Sequence, residues 1–381
     1  MAIAISIFNE QQIKSKGDGC NLNNGKSFSE KLEKVLFLEV DENKLENIFK
    51  VTIKEKVYLP INADEIIKEV KNGNNMEKIS ISNFIEGMFF VMGADKDFKY
   101  NKYYIKMIKN IPESIKFIKG KIFKLIEEKK YEDAYITLKG LIQVDSSKEN
   151  FEKLLLLVDG LRSLDKSYID EELWAIDKTK ELFEDYPLPY LYECIINKEN
   201  GDYSKALFLL NNYLVRGGEE TKEITDLRVA LKSIVDYEKA KEILYDSPRE
   251  ALEILIPLLE EFEDDPLIYY YVSIAYRILE NYEKAIYYLN KSINIDSAIP
   301  EVINELGINY AALGEYEKAI GYLRKVFEVT KAVEVCTNLV MCYLNIGKIK
   351  EAKEHLEIAK KIKPEDEIVM ELEGILKKYI N

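Results

Sequence analysis

The stretch GDGCNLNNGKS, Gly17 to Ser27, holds the residue types that cradle a nucleotide phosphate, and VLFLEVDE downstream would supply an acidic strand to hold magnesium. Spacing decides against that chemistry. A phosphate-binding loop ending at Gly25, Lys26 and Ser27 needs its first glycine at position 20, where the chain has Cys20, and Gly19 stands one residue early. The acidic strand also follows too soon to leave room for the helix that must bind the phosphate. The stretch reads instead as part of an Asn/Gly-rich leader.

The other reactive residue types are equally sparse. The single histidine, His355, stands among Lys353, Glu354 and Glu357 and cannot form a histidine metal cluster alone. Cys20, Cys194, Cys336 and Cys342 lack C-x-x-C spacing, so they read as free thiols in a reducing cytoplasm. No Ser/His/Asp or Cys/His arrangement emerges, and carboxylate pairs are common on acidic helices throughout. The expectation is a chain with no catalytic residues, no metal site and no cofactor site.

Charge offers a different kind of chemistry. In KYNKYYIKMIKNIPESIKFIKGKIFK the eight lysines from Lys99 to Lys124 face one acid, Glu113, with aromatics interleaved, a pattern suited to RNA, DNA or an anionic surface. Yet Lys102, Lys106 and Lys109 are also the solvated stripe of one amphipathic helix. Residues 1–112 carry 17 basic and 16 acidic side chains, whereas residues 113–381 carry 37 and 52. An array that acidic repels polyanions, which disfavours nucleic acid and favours basic or apolar protein segments as partners.

These residues must be positioned by a chain of 381 residues, too long for one compact core. No apolar run approaches the roughly 18 residues of a membrane span. The apolar start, MAIAISIF, lacks a cationic leader and is a poor secretory signal, so the expected location is cytoplasmic. Abundant Lys, Ile, Asn, Glu and Tyr match the usage of an AT-rich bacterial genome.

Self-similarity supplies the organisation. YEKAI occurs at Tyr282 to Ile286 and again at Tyr316 to Ile320, 34 residues apart; Ala251 lies 34 residues before Ala285, and Ala352 lies 33 after Ala319. From Pro266 to Tyr276 the apolar residues Tyr269, Val272 and Tyr276 are spaced three and four apart, Glu280-Asn281 interrupts, and Ala285, Ile286 and Leu289 continue on one face. Two antiparallel helices joined by a tight turn follow, with the alanine where they approach most closely.

PEVINELGINYAALGEYEKAIGYLRKVF resembles the tetratricopeptide repeat: Ile303, Leu306, Gly307 and Tyr310 form the first-helix set, Gly314 closes the turn, and Ala319 and Leu323 continue. The next unit places Cys336, Leu339, Val340, Tyr343, Gly347, Ala352, Leu356 and Pro364 correspondingly. Clear repeats are expected at 266–299, 300–332 and 333–366, divergent ones at 115–148, 149–186, 187–220 and 221–265, and a capping helix at 367–381. Ala206 and Ala240 keep the period, but Ala251 follows Ala240 by only 11 residues, about three helical turns. With no Gly or Pro from Glu219 to Ser247, one long helix is expected over Thr221 to Tyr245, the alternative being a break near Ser233 to Asp236.

Residues 1–30 read as a disordered leader. Residues 31–112 read as a small α+β module outside the resemblance. There KVLFLEV and VTIKEKVYL are strand candidates, Asn62 caps a helix ending near Gly73, and SNFIEGMFFVM with KYNKYYIKMIKNI forms a helix pair.

The resemblance implies a mainly α fold, a tetratricopeptide-type α-solenoid in which antiparallel helix pairs stack into a right-handed superhelix with a concave surface. It implies a non-enzymatic scaffold that binds a protein or peptide. The concave stripe falls on Tyr270, Ile274 and Arg277, then Asn304, Ile308 and Ala311, then Thr337, Met341 and Leu344, whose aliphatic and aromatic character suits an apolar or amphipathic segment. The alternative, a peptide-responsive regulator with a nucleic-acid-binding or anionic-surface-binding N-terminal region, requires a basic recognition helix, whereas residues 1–112 are nearly neutral.

Overall fold

The computed structural model describes residues 28–53, 55–64, 66–67 and 80–380; the phosphate-loop look-alike, Cys20 and most of the helix expected after Asn62 lie outside them. The chain forms two compact units that meet in sequence between Glu220 and Thr221.

In the first unit, strand β1 (Val35–Glu39) pairs antiparallel with β2 (Tyr58–Asn62), Val35 opposite Asn62 and Glu39 opposite Tyr58. Only the last two residues of the expected strand at 51–59 are extended in this ladder. The link between the strands carries a helix the alternation does not signal, α1 (Glu42–Phe49), started by the Asp41 carboxylate accepting from the Lys44 amide at 3.2 Å.

Helix α2 (Ile81–Ala94) is apolar almost all round, and such a helix must be covered on several sides. One cover is β2, where a Cβ on Gly87 would stand 2.3 Å from the Pro60 carbonyl oxygen. Another is α5 (Tyr131–Ile142). A Cβ on Gly93 would lie 1.7 Å from the Ile136 oxygen, and one on Gly140 would lie 1.8 Å from the Phe89 oxygen, so two glycines let the helix backbones touch. Helices α3 (Asn101–Lys109) and α4 (Ser114–Glu127) lead into α5, followed by α6 (Lys148–Leu164), α7 (Ile169–Leu182), α8 (Leu188–Glu199) and α9 (Tyr203–Val215). A single core runs from Phe28 to Ile196, so residues 28–112 share their core with the helix pairs that follow.

The second unit begins with α10 (Lys222–Ile243), one uninterrupted helix started by Thr221, whose hydroxyl accepts from the Ile224 amide. It pairs with α11 (Pro248–Leu258). Then come the pairs α12 (Pro266–Ile278) with α13 (Tyr282–Ile295), α14 (Pro300–Ala312) with α15 (Tyr316–Thr330), and α16 (Val333–Asn345) with α17 (Ile349–Ile362). Helix α18 (Glu367–Ile380) follows, with Val369, Leu372 and Leu376 buried in the core of the last pair.

The doubled pentapeptide now has a physical explanation. Tyr276 stacks on Tyr288 at 5.5 Å and Tyr310 on Tyr322 at 5.5 Å, one stack per pair. The lysine of each YEKAI lies over the first ring, Lys284 at 5.1 Å from Tyr276 and Lys318 at 5.2 Å from Tyr310. In the last pair the second ring is His355, 5.1 Å from Tyr343, so the single histidine holds a packing position. Ala285 and Ala319 are wholly buried, and a Cβ on Gly307 would sit 3.5 Å from the Ala319 oxygen. Ala285→Leu and Ala319→Leu should therefore each cost about 1–3 kcal/mol through overpacking, read as lower melting temperatures. Unchanged melting would put these alanines away from the helix crossing.

Candidate functional site: apolar grooves between first helices

In each unit, the first helices of two successive pairs flank a groove floored by the second helix between them. In the second unit the flanking helices are α14 and α16. The concavity there is about 280 Å³, lined by Ile308, Ala311, Asn338, Met341 and Asn345 among others, and Met341 is 44% exposed.

Of the nine stripe residues expected from sequence, Ile308, Ala311 and Met341 meet at this concavity. Tyr270 is half-buried against Tyr271, and burial pushes its phenol up to about 12. Arg277 is committed to an ion pair with the buried Glu305, which also accepts from Asn309 Nδ2 at 3.1 Å. Asn304 is half-buried. Ile274, Thr337 and Leu344 are core residues rather than groove residues. Ile274 packs with Leu244, Ala251 and Ala275, because the preceding pair covers the face that helical periodicity left open. An aspartate at Ile274 would bury a charge and report on folding, not on binding.

The larger apolar groove lies in the first unit and escapes the repeat pattern. Helices α4 and α6 flank a concavity of about 600 Å³ floored by Tyr131 and Leu138 of α5, with Leu161 of α6 buried at its base. Its walls include Phe123, 63% exposed, Leu156, 63%, and Leu164, 76%. Apolar surface gathered in one concavity is a marker of binding, unlike apolar residues scattered singly. Gly160 leaves open space where a side chain would stand. At the rim, Lys153 pairs with Glu149 at 2.5 Å and Lys119 lies 3.6 Å from both Glu149 and Asp145, so the lysines are locally neutralised.

A signal for this groove is present in the sequence. Four consecutive leucines, Leu154 to Leu157, sweep about 300° of a helix at 100° per residue, more than one core face can absorb. Leu154 and Leu155 go inward and Leu156 goes outward.

Outside the grooves, the buried Arg162 ties three helices together. Arg162, 2% exposed, contacts Glu172 through Nε, Glu199 at 2.8 Å and Asp159 at 3.0 Å, tying α6 to α7 and α8. Burial pushes the Glu172 carboxyl up to about 7 despite that guanidinium. Burial also pushes the Cys194, Cys336 and Cys342 thiols up to about 11, which keeps them protonated near neutrality. Among the described residues no group of three His, Cys, Asp or Glu side chains is placed to hold a metal, and no helix is long and apolar enough to cross a membrane. In the lysine-rich stretch, Lys121 pairs with Glu86 at 2.8 Å and Lys124 approaches Glu128 at 3.8 Å, while Lys99 and Lys102 lie over tyrosine rings.

Comparison with family models agrees with the helix-pair reading of residues 300–366. The family model described as tetratricopeptide repeat matches residues 300–332 and 333–366. Among solved structures, the chain is similar to YrrB, described as a TPR protein with an unusual peptide-binding site, at 17% identity over 52% of this chain and 98% of that one, with a TM-score of 0.37. It is similar to MamA at 18% identity over 46% and 90%, TM-score 0.34. It is also similar to a chain of the APC/C hetero-tetramer Cut9–Hcn1 at 13% identity over 84% and 67%, TM-score 0.37. No curated protein matches. The buried Ala319 and Ala352 and the ring pairs Tyr310–Tyr322 and Tyr343–His355 of α14 to α17 all fall in the stretch that the tetratricopeptide-repeat model matches.

Proposed function

We propose that this protein is a non-enzymatic interaction scaffold that captures an apolar or amphipathic segment of a protein partner in the groove between α4 and α6. The observation that carries the reading is the convergence of Phe123, Leu156 and Leu164, all more than half exposed, on one apolar concavity of about 600 Å³. Burying such anchors in a pocket is the commonest source of binding energy at an interface. Basic residues flanking the captured segment would be drawn by the chain's net charge of −14, which raises the association rate more than the affinity. The smaller concavity at Ile308, Ala311 and Met341 is a second contact point for the same class of ligand. We place this work in the cytoplasm.

The test uses peptides selected from a random display library against the full chain. Leu156→Asp combined with Leu164→Asp should weaken the selected peptides at least tenfold and leave helicity unchanged, because both side chains face solvent. The pair Ile308→Asp and Met341→Asp should have the smaller effect. Full retention of binding by the first double variant would remove the α4–α6 groove as the site.

A further inference from the structure

We propose that in the free protein the α4–α6 groove is filled by a second copy of this chain, the two copies meeting along α6 about a two-fold axis at Gly160; this rests on the groove being a docking surface, as proposed above. Leu156, Gly160 and Leu164 are spaced four apart and form one row on α6. A row with a glycine at its centre and a leucine at each end is its own complement when two such helices cross antiparallel. Leu156 of each copy then lies against Leu164 of the other, and the two glycines face each other where the backbones come nearest. A Cβ on Gly160 would meet nothing within 4 Å, so the notch between the leucines is open to the incoming helix. Only a partner related by a two-fold axis uses that symmetry, which favours a second copy over an unrelated segment.

Charge and area both permit the pairing. From Leu154 to Leu164 the exposed positions of α6 are Leu156, Gly160, Ser163 and Leu164, none of them charged, in a chain whose residues are 32% charged. The two charges in that stretch are engaged elsewhere, since Arg162 is buried and Asp159 pairs with it at 3.0 Å. At the rim, Lys119 and Lys153 are matched by Asp145 and Glu149, so the contact brings no net charge to a copy whose total is −14. At about 180 Å² for a fully exposed Leu, Ile or Phe, the exposed parts of Phe123, Ile126, Leu156 and Leu164 amount to about 430 Å² per copy. Two copies thus bring about 860 Å² from these residues alone, close to the roughly 1,000 Å² of a specific interface, and the half-buried Tyr131 and Leu157 beside them add to it. A partner segment entering the groove must part the two copies, which couples capture to dissociation.

The direct test is disulfide trapping in the full chain. With Cys20→Ser and Gly160→Cys the new thiol sits on the proposed axis, while Cys194, Cys336 and Cys342 are buried. Mild oxidation at about 50 µM protein should link most chains in pairs through position 160. Phe208→Cys in the same background, at an exposed position on α9, should give at least tenfold less linked product. In sedimentation equilibrium the unaltered chain should pair at that concentration, and Gly160→Gln, whose side chain fills the notch, should weaken pairing at least tenfold without lowering the urea midpoint. A monomeric chain, equal linking at positions 160 and 208, or a dimer that survives Gly160→Gln would overturn the proposal. If display-selected peptides bind a monomeric chain and are lost with Leu156→Asp and Leu164→Asp, the capture reading stands and only the pairing falls. If the chain pairs as expected while selected peptides neither part the copies nor respond to that double variant, the pairing stands and the capture reading falls.

Discussion

Gly140→Ala and Gly93→Ala should each destabilise the first unit by at least about 4 kcal/mol or prevent it from folding. The added methyl carbon would lie 1.8 Å from the Phe89 oxygen in one case and 1.7 Å from the Ile136 oxygen in the other. Both neighbours are helix backbone, which cannot rotate aside as a side chain can. The two helices must separate, and with them the fully buried Met88, Phe89, Val91 and Met92 lose their packing. Local propensity acts in the opposite direction, since alanine in a helix interior is favoured over glycine by about 1 kcal/mol. Gly120→Ala is the internal control: a Cβ there meets nothing within 4 Å, so it should stabilise by roughly 0.5–1 kcal/mol. Trp174, the only tryptophan, lies in this unit, and its fluorescence during urea unfolding reports the transition concerned. Glycine variants as stable as the parent would show that α2 and α5 do not touch at these positions.

Arg162→Met should cost about 3–5 kcal/mol at neutral pH, because it leaves the wholly buried Glu172 carboxylate without its cation. The same carboxyl imposes a pH dependence on the unaltered chain. Burial raises it to about 7 from an ordinary value of 4.5, so between those values the folded state holds a proton that the unfolded state has released. Its contribution to stability is full below about pH 4.5, falls as pH rises through the window, and is lost above about pH 7. Across that window the change is on the order of 3 kcal/mol. Glu199 works in the opposite sense, since its hydrogen bond to Lys166 lowers its carboxyl, and its contribution is lost as pH falls. Unfolding curves at pH 3, 4.5, 6 and 8 separate the two groups, because the Glu199 loss lies below pH 4.5 and the Glu172 loss above it. Glu172→Gln should remove the decline between pH 4.5 and 7 relative to the parent, while an unchanged decline would assign it to other groups.

Much of the second unit is legible from residue order because its constraints are local. A small residue recurs wherever two helices cross, so Ala251, Ala285, Ala319 and Ala352 mark the crossings without knowledge of any neighbour, and all four are wholly buried. The long helix from Lys222 to Ile243 follows from the lack of Gly and Pro across it. The stacking partners of Tyr276 and Tyr310 follow the same period, and His355 takes the second ring's place in the last pair.

The groove stripe was only partly legible, for a physical reason. Periodicity tells which residues share a helix face, but two first helices in succession cover part of each other's face, and which part depends on their separation and angle. Ile274 and Leu344 are apolar residues on the expected stripe that this contact buries, whereas Met341 on the same stripe reaches solvent. Residue order alone marks the helix pairs of residues 266–366. Tertiary structure alone decides that residues 28–112 merge into the core of the helix pairs after them, that Gly93 and Gly140 are contact points rather than helix weaknesses, and that an apolar groove of about 600 Å³ lies between α4 and α6. Each of those depends on contacts between residues tens of positions apart, where a missing side chain or a surplus leucine acquires meaning only from what stands opposite it.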